Sequence, residues 1–219
     1  MSGSALDRFL AANADAALIV GGGGLGVMTL DLLRTAHPGR PLAMLDDDPS
    51  RIGGDVHGTP VFGPVSDGLA AAAAMHGVEC VLAIANNEVR ARLANEHGGV
   101  SWLTAIHPAA TVSPLATIGE GSIVLPGAVI DPEARIGRHV IINKLCSIGH
   151  NCVIEDYAQL APLVGSGGLL GERCFIGMGA SILPLVRVGA GAVVGAGAVV
   201  HQEVAAEATV VGVPARQRH

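Results

Sequence analysis

The chain has 219 residues, half of them hydrophobic, with only one Trp, one Tyr and three Phe, and a formal charge of −6 at neutral pH. That length can bury a real core in one domain or two, and a core so poor in aromatic rings has to be stacked from Val, Ile, Leu and Ala. A net negative charge without any run of Lys or Arg leaves no footprint for nucleic acid, and no stretch is built as a signal peptide or for membrane insertion, since Leu18 to Leu33 is broken by glycines and by Asp31; a cytoplasmic protein is expected.

In chain order, residues 1–15 read as a poorly ordered or helical lead-in. Ala16 to Val20 is an apolar run ending in Gly21-Gly22-Gly23-Gly24-Leu25-Gly26, and a helical pattern follows through Val27, Leu30, Leu33 and Arg34. Strand, glycine turn and helix open a Rossmann-like unit, where bare amides at a helix start can face a phosphate; a tight turn without a ligand fits the same residues. Pro41 to Leu45 is a second strand ending in Asp46-Asp47-Asp48-Pro49. Acidic residues there can accept hydrogen bonds from a ribose or a base, or simply form a solvated turn. Arg51 to Pro64, rich in Gly and Pro, reads as loop, Ser66 to His76 as a helix, Glu79 to Ala85 as a third strand and Asn87 to Glu96 as a third helix.

From Ile106 to Val204 an aliphatic residue returns every six positions, among them Val124, Ile130, Ile136, Ile142, Ile148, Ile154 and Leu160, then Leu170, Ile176, Ile182 and Val188. Four residues after each stands a small or slim one, such as Ala128, Cys146, Cys152 and Cys174, so two slots in six point inward. Glycine follows the aliphatic at Gly119, Gly137, Gly149, Gly171, Gly177, Gly189 and Gly195, where it suits a tight bend. A period of six fits neither a helix nor a hairpin sheet; it is the repeat of a parallel β-helix, here of between five and six three-sided coils about 25 Å long. Three cysteines fall in the inward slot and Cys80 in an apolar run, so all four read as packing residues. Two after each aliphatic the residues are polar or Pro, which puts His150 on a surface. The rhythm slips once, at Gly165-Ser166-Gly167-Gly168, where the aliphatic returns at Leu170 instead of 172.

This spacing resembles the left-handed hexapeptide-repeat acyltransferases. With the Leu45-Asp46-Asp47 turn and the segment Ile84-Ala85-Asn86-Asn87-Glu88-Val89-Arg90, the likeness narrows to the sialic acid O-acetyltransferase and nucleotide-amino-sugar N-acetyltransferase family and runs nearly end to end. It implies an α/β Rossmann-like domain with a short parallel sheet, residues 1–105, that binds the nucleotide of a nucleotide-linked sugar, and an all-β left-handed parallel β-helix, residues 106–219, that transfers the acetyl group from acetyl-CoA. Carried over by position, the resemblance assigns Gly22, Gly23, Gly24, Asp46, Asp47, Asn86 and Asn143 to substrate binding. It assigns His150 to the general base, with Asn151 beside it. Gln159, Gly177, Gly179, Ala180 and Pro214 fall to the acetyl-CoA arm and nucleotide, the backbone amides of the glycine run being free to polarise the thioester carbonyl.

Three residues depart from the family's pattern. Leu25 stands where a His is common in the glycine turn, Asn151 where an acid usually follows the base, and Gln159 where a second His usually lies near the donor. Asn can accept a hydrogen bond from the ring but cannot offset an imidazolium charge. The expected function is acetyl-CoA-dependent N-acetylation of a 4-amino-dideoxy sugar by direct transfer, in a homotrimer with sites between subunits and without a metal. Alternatives are O-acetylation of the sialic acid type and a catalytically weakened scaffold. A zinc-dependent β-helix carbonic anhydrase needs three converging His, and His139, His150 and His201 occupy unlike slots.

Overall fold

The chain divides into two compact units, Met1–Ala105 and Ile106–His219; the structure, a computed structural model, describes residues 4–218. In the first unit helix α1 (Ala5–Ala12) starts at a reciprocal cap, in which the Ser4 hydroxyl accepts from the Asp7 amide and the Asp7 carboxylate accepts from the Ser4 amide. Strand β1 (Ala17–Val20), helix α2 (Gly24–Ala36) and strand β2 (Leu42–Leu45) follow. After them come the short strands β3 (Asp55–Val56) and β4 (Thr59–Phe62), then α3 (Val65–Ala73), β5 (Glu79–Leu82) and α4 (Asn87–Glu96). The sheet order is β3-β4-β2-β1-β5. Central β1 is parallel to both neighbours and buried along its whole length, which is why it reads as an unbroken apolar run.

One sequence expectation needs correcting here. The segment 51–64 is not all loop: β3 and β4 form an antiparallel hairpin, and β4 adds a parallel strand beside β2, Met44 opposite Val61. His57 and Gly58 both take positive φ in the two-residue turn, the conformation a tight hairpin needs. Pro60 is tolerated because it precedes Val61, where the pairing of β4 with β2 begins, so its missing N–H removes no bond to β2. Arg34 of α2 secures it, donating to the His57 carbonyl and the Thr59 hydroxyl.

The second unit is a left-handed parallel β-helix with two-residue strands on three faces. One face stacks Val129–Ile130, Ser147–Ile148, Gly165–Ser166 and Ser181–Ile182. The inward residues form one column of Val, Ile, Leu, Ala and Cys, all four cysteines of the chain are buried, and burial of each large aliphatic contributes about 1.5–3 kcal/mol.

The glycines after the aliphatics have a different role from the one expected. None of Gly119, Gly137, Gly171 or Gly177 has positive φ; the left-handed residue lies two places later, at Gly121, His139, Arg173 and Gly179. What the earlier glycines supply is close approach. A Cβ at Gly119 would come within 2.6 Å of Gly137 backbone, and one at Gly177 within 2.5 Å of the Ala196 nitrogen, so coils stack only because these side chains are missing. At the left-handed positions the chain instead carries His139, Leu145, Asn151, Tyr157, Leu163 and Leu185, a conformation that costs about 1–2 kcal/mol for residues other than Gly and Asn.

Candidate functional site

The glycine turn of the first unit links β1 to α2. Gly23 is the N-cap of α2 without any side-chain cap, and no acidic residue stands in the first turn, so the opening amides of the helix have no partner of their own. Gly26 is required for another reason, because a Cβ there would overlap the Gly21 carbonyl oxygen. The amide of Gly22, expected to face a phosphate, is already used: it donates to Asp46 Oδ2 at 2.7 Å. Asp46 Oδ1 accepts from the Asp48 amide, and Arg51 Nη1 lies 3.1 Å from Oδ2. Burial alone would raise the Asp46 pKa, but the amides of Asp48 and Gly22 and the Arg51 charge outweigh it and hold the carboxyl below its ordinary value.

Asp47 and Asn86, expected to meet the nucleotide, both cap helices. Asp47 Oδ1 accepts from the Val65 amide at the start of α3, and Asn86 Oδ1 from the Val89 amide in the first turn of α4. Both residues are exposed, so each keeps its remaining polar atom for solvent or a ligand. Arg90, which sequence reading passed over although it closes the Asn-Asn-Glu-x-Arg segment, is fully buried and donates to the Ile84 carbonyl and Asn87 Oδ1, fixing the turn between β5 and α4.

In the second unit His150 lies at an exposed corner, as its slot predicts, and its Nδ1 is 3.0 Å from Asn151 Nδ2. Asn151 has φ 59°, which Asn adopts more readily than most residues. With the amide nitrogen facing the ring, Nδ1 accepts and the proton sits on Nε2. A half-turn of the amide brings Oδ1 there instead, fixes the proton on Nδ1 and leaves the Nε2 lone pair facing outward.

The corner above is the shortened one. Four residues, Gly149 to Cys152, separate the strands at the His150 corner, whereas only Gly167 and Gly168 separate Gly165–Ser166 from Leu169–Leu170. A Cβ at Gly149 would meet nothing nearer than 3.4 Å, whereas one at Gly119, Gly137, Gly171 or Gly177, on the other corners, would come within 2.6 Å of a neighbouring atom. Ser166 takes an inward aliphatic slot between Ile148 and Ile182, with its hydroxyl 3.6 Å from Cys152 Sγ, which donates to the Gly168 carbonyl at 2.9 Å.

Asn143 is nearly buried, its Oδ1 accepting from the Lys144 amide. The donor-side expectation fails in one respect. The amides of Gly177 and Gly179 donate to the Val194 and Pro162 carbonyls of adjacent coils and that of Ala180 to the Gly177 carbonyl of its own turn, so none of them is left to polarise a thioester. Gln159 is different, since its Oε1 is buried without a partner on the face between Ile141 and Phe175. Pro214 is exposed in a tail that folds back antiparallel, Val211 opposite Arg216, and the Ala215 amide donates to the Val199 carbonyl. Burial pushes the thiols of Cys80 and Cys174 up to about 12 and that of Cys146 up to about 11, so none is a ready thiolate. Among the described residues no group of three or more His, Cys, Asp or Glu could hold a metal ion, and no helix is long and apolar enough to cross a membrane.

Comparison with known proteins falls on both units. The family described as the PglD N-terminal domain matches residues 16–97, and the bacterial transferase hexapeptide family matches residues 168–202. A mutant of perosamine N-acetyltransferase from Caulobacter crescentus, solved in complex with CoA and GDP-perosamine, is 34% identical; the match covers 93% of this chain and 97% of that one, with a TM-score of 0.85. The acetyltransferase domain of PglB from Neisseria gonorrhoeae, in complex with acetyl coenzyme A, is 30% identical over 93% and 99% of the two chains, with a TM-score of 0.87. Serine acetyltransferase from Salmonella typhimurium is 41% identical over 95 residues, 38% of this chain, and the match spans only 35% of that protein's length.

Proposed function

This chain belongs to the hexapeptide-repeat acyltransferases that carry a PglD-type N-terminal domain, and from that premise we propose that it transfers the acetyl group of acetyl-CoA to the 4-amino group of a nucleotide-linked amino-dideoxy sugar. The observation that carries the reading is the exposed His150 with Asn151 Nδ2 3.0 Å from its Nδ1, at a corner where the next coil is cut back to two glycines. In the productive arrangement Asn151 Oδ1 accepts from Nδ1–H, and Nε2 takes the proton of the attacking amine as the C–N bond forms. The thioester C–S bond then breaks, and the imidazolium returns its proton to the departing thiolate. No acyl-enzyme is involved, because the thiols are buried and their pKa values raised. Gln159 Oε1, unpartnered in the structure, is the acceptor that an amide N–H of the pantetheine arm would satisfy.

In the first unit Gly23, Gly24, Asp46, Asp47 and Asn86 serve the nucleotide. The reading is supported by the uncapped start of α2 and by a structural neighbour solved with GDP-perosamine. The test is a screen of nucleotide-linked sugars with acetyl-CoA, following release of free thiol. The expected result is turnover with 4-amino sugars and little with their 4-hydroxy counterparts. Preference for the hydroxyl would establish the sialic acid type of chemistry instead, and no thiol release with any sugar would leave a binding scaffold.

Assembly as a homotrimer is part of the same proposal. Leu145, Leu163 and Met178 are more than half exposed on successive coils of one corner, an apolar column that a neighbouring prism would cover. Sedimentation at assay concentration should give three times the chain mass, and a fully active monomer would rule out sites shared between subunits.

A further inference from the structure

The mouth of the glycine turn concentrates negative charge where the proposed ligand brings more. Asp46, Asp47 and Asp48 lie together after β2, Asp46 occupies the Gly22 amide, and a nucleoside diphosphate arrives as a polyanion. Carboxylates this close to a phosphoryl group oppose its binding unless a cation stands between them. The ion pairs of the described residues bring one cation to this turn, Arg51. Its Nη1 lies 3.1 Å from Asp46 Oδ2 and its Nε 3.4 Å from Asp48 Oδ2. It reaches the turn itself as well, because a Cβ built on Gly22 would lie 3.2 Å from Nη1. The side chain remains 40% exposed, so the guanidinium is held in place on its carboxylate side and open on the other.

We infer that Arg51 is a diphosphate-binding residue of the first unit, bridging the Asp46–Asp48 carboxylates and the phosphoryl oxygens beside the start of α2. The inference rests on the nucleotide reading above. It explains why an acidic turn can stand next to a phosphate site: the guanidinium has enough donors in one plane to serve a carboxylate and a phosphate together. Hydrogen bonds to charged groups are worth enough that losing this one should weaken binding about tenfold to a hundredfold.

The test compares uridine with UDP and guanosine with GDP, titrated into the full chain and followed by ligand-observed NMR and calorimetry. Wild type should hold a diphosphate more tightly than its nucleoside. Arg51→Gln should lose about tenfold to a hundredfold in diphosphate affinity while nucleoside affinity stays the same, and Arg51→Lys, which keeps the charge but not the fork, should fall between. Equal losses for nucleoside and diphosphate would reduce Arg51 to a brace of the turn, and an unchanged diphosphate affinity would remove it from the site. Should Arg51→Gln fail to fold, Arg51→Lys decides: wild-type diphosphate affinity in that variant would overturn the bridging role. Wild type that binds none of the four would overturn the nucleotide reading itself, and Arg51's role with it.

Discussion

Replacing His150 by Ala is expected to lower kcat about a hundredfold to ten-thousandfold, the usual worth of the general-base role proposed for it. The substitution deletes nothing from the core, because the side chain stands on an exposed corner, so the melting temperature and acetyl-CoA affinity are expected to stay at wild-type values. The accompanying change at Asn151 is informative in the opposite sense. Asn151→Asp puts a carboxylate where an amide now meets Nδ1, which favours the protonated ring, and the acidic limb of the pH–rate profile moves to higher pH. Wild-type kcat in His150→Ala at neutral pH would mean that the acceptor loses its proton elsewhere, whatever the substrate.

Gly168→Ala is expected to destabilise the prism by about 3 kcal/mol, the upper range for overpacking, and to lower kcat with it. A Cβ at Gly168 would overlap the Val186 carbonyl oxygen, a backbone atom of the next coil that cannot swing aside, and the Gly168 carbonyl is the acceptor of the Cys152 thiol. Gly165→Ala is the control, since nothing lies within 4 Å of the added methyl there. Thermal melts of the two variants separate steric crowding at the short corner from any general intolerance of side chains in this segment. Equal stability would show that the corner can open.

The prism is the part most legible in the sequence, because its physical determinant is local and repeats: an aliphatic every six residues can satisfy only one backbone path. The outward position of His150 follows from the same count. The short edge hairpin β3–β4 was hidden for the opposite reason. Its strand residues include Pro60 and are too few to show a period, and its turn depends on positive φ at His57, a residue type that does not announce it. The bond between Asp46 and the Gly22 amide joins residues 24 apart, and no spacing rule links a glycine turn to the end of the next strand. The glycine run at 177–179 misled in a more instructive way. Glycine-rich sequence suggests exposed amides, but inside a coil ladder Gly177 is there so that the Ala196 backbone can come near and Gly179 because the bend takes positive φ, and the amides of both are paired, with the Val194 and Pro162 carbonyls.

The shortened corner also says where this architecture can change length. Ser147 pairs with a residue eighteen places on, Gly165, whereas Gly165 pairs with Ser181, sixteen on, and Leu169 with Arg187 is back at eighteen. The two missing residues are absorbed within a single revolution, and two more are dropped near the end of the prism, where Val193 pairs with Thr209, yet the strands keep their places on the same faces. A chain wound this way can therefore lose or gain residues beside the His150 corner without any revision of the interior, so the contour around the proposed acceptor site is free to change while the aliphatic column stays as it is.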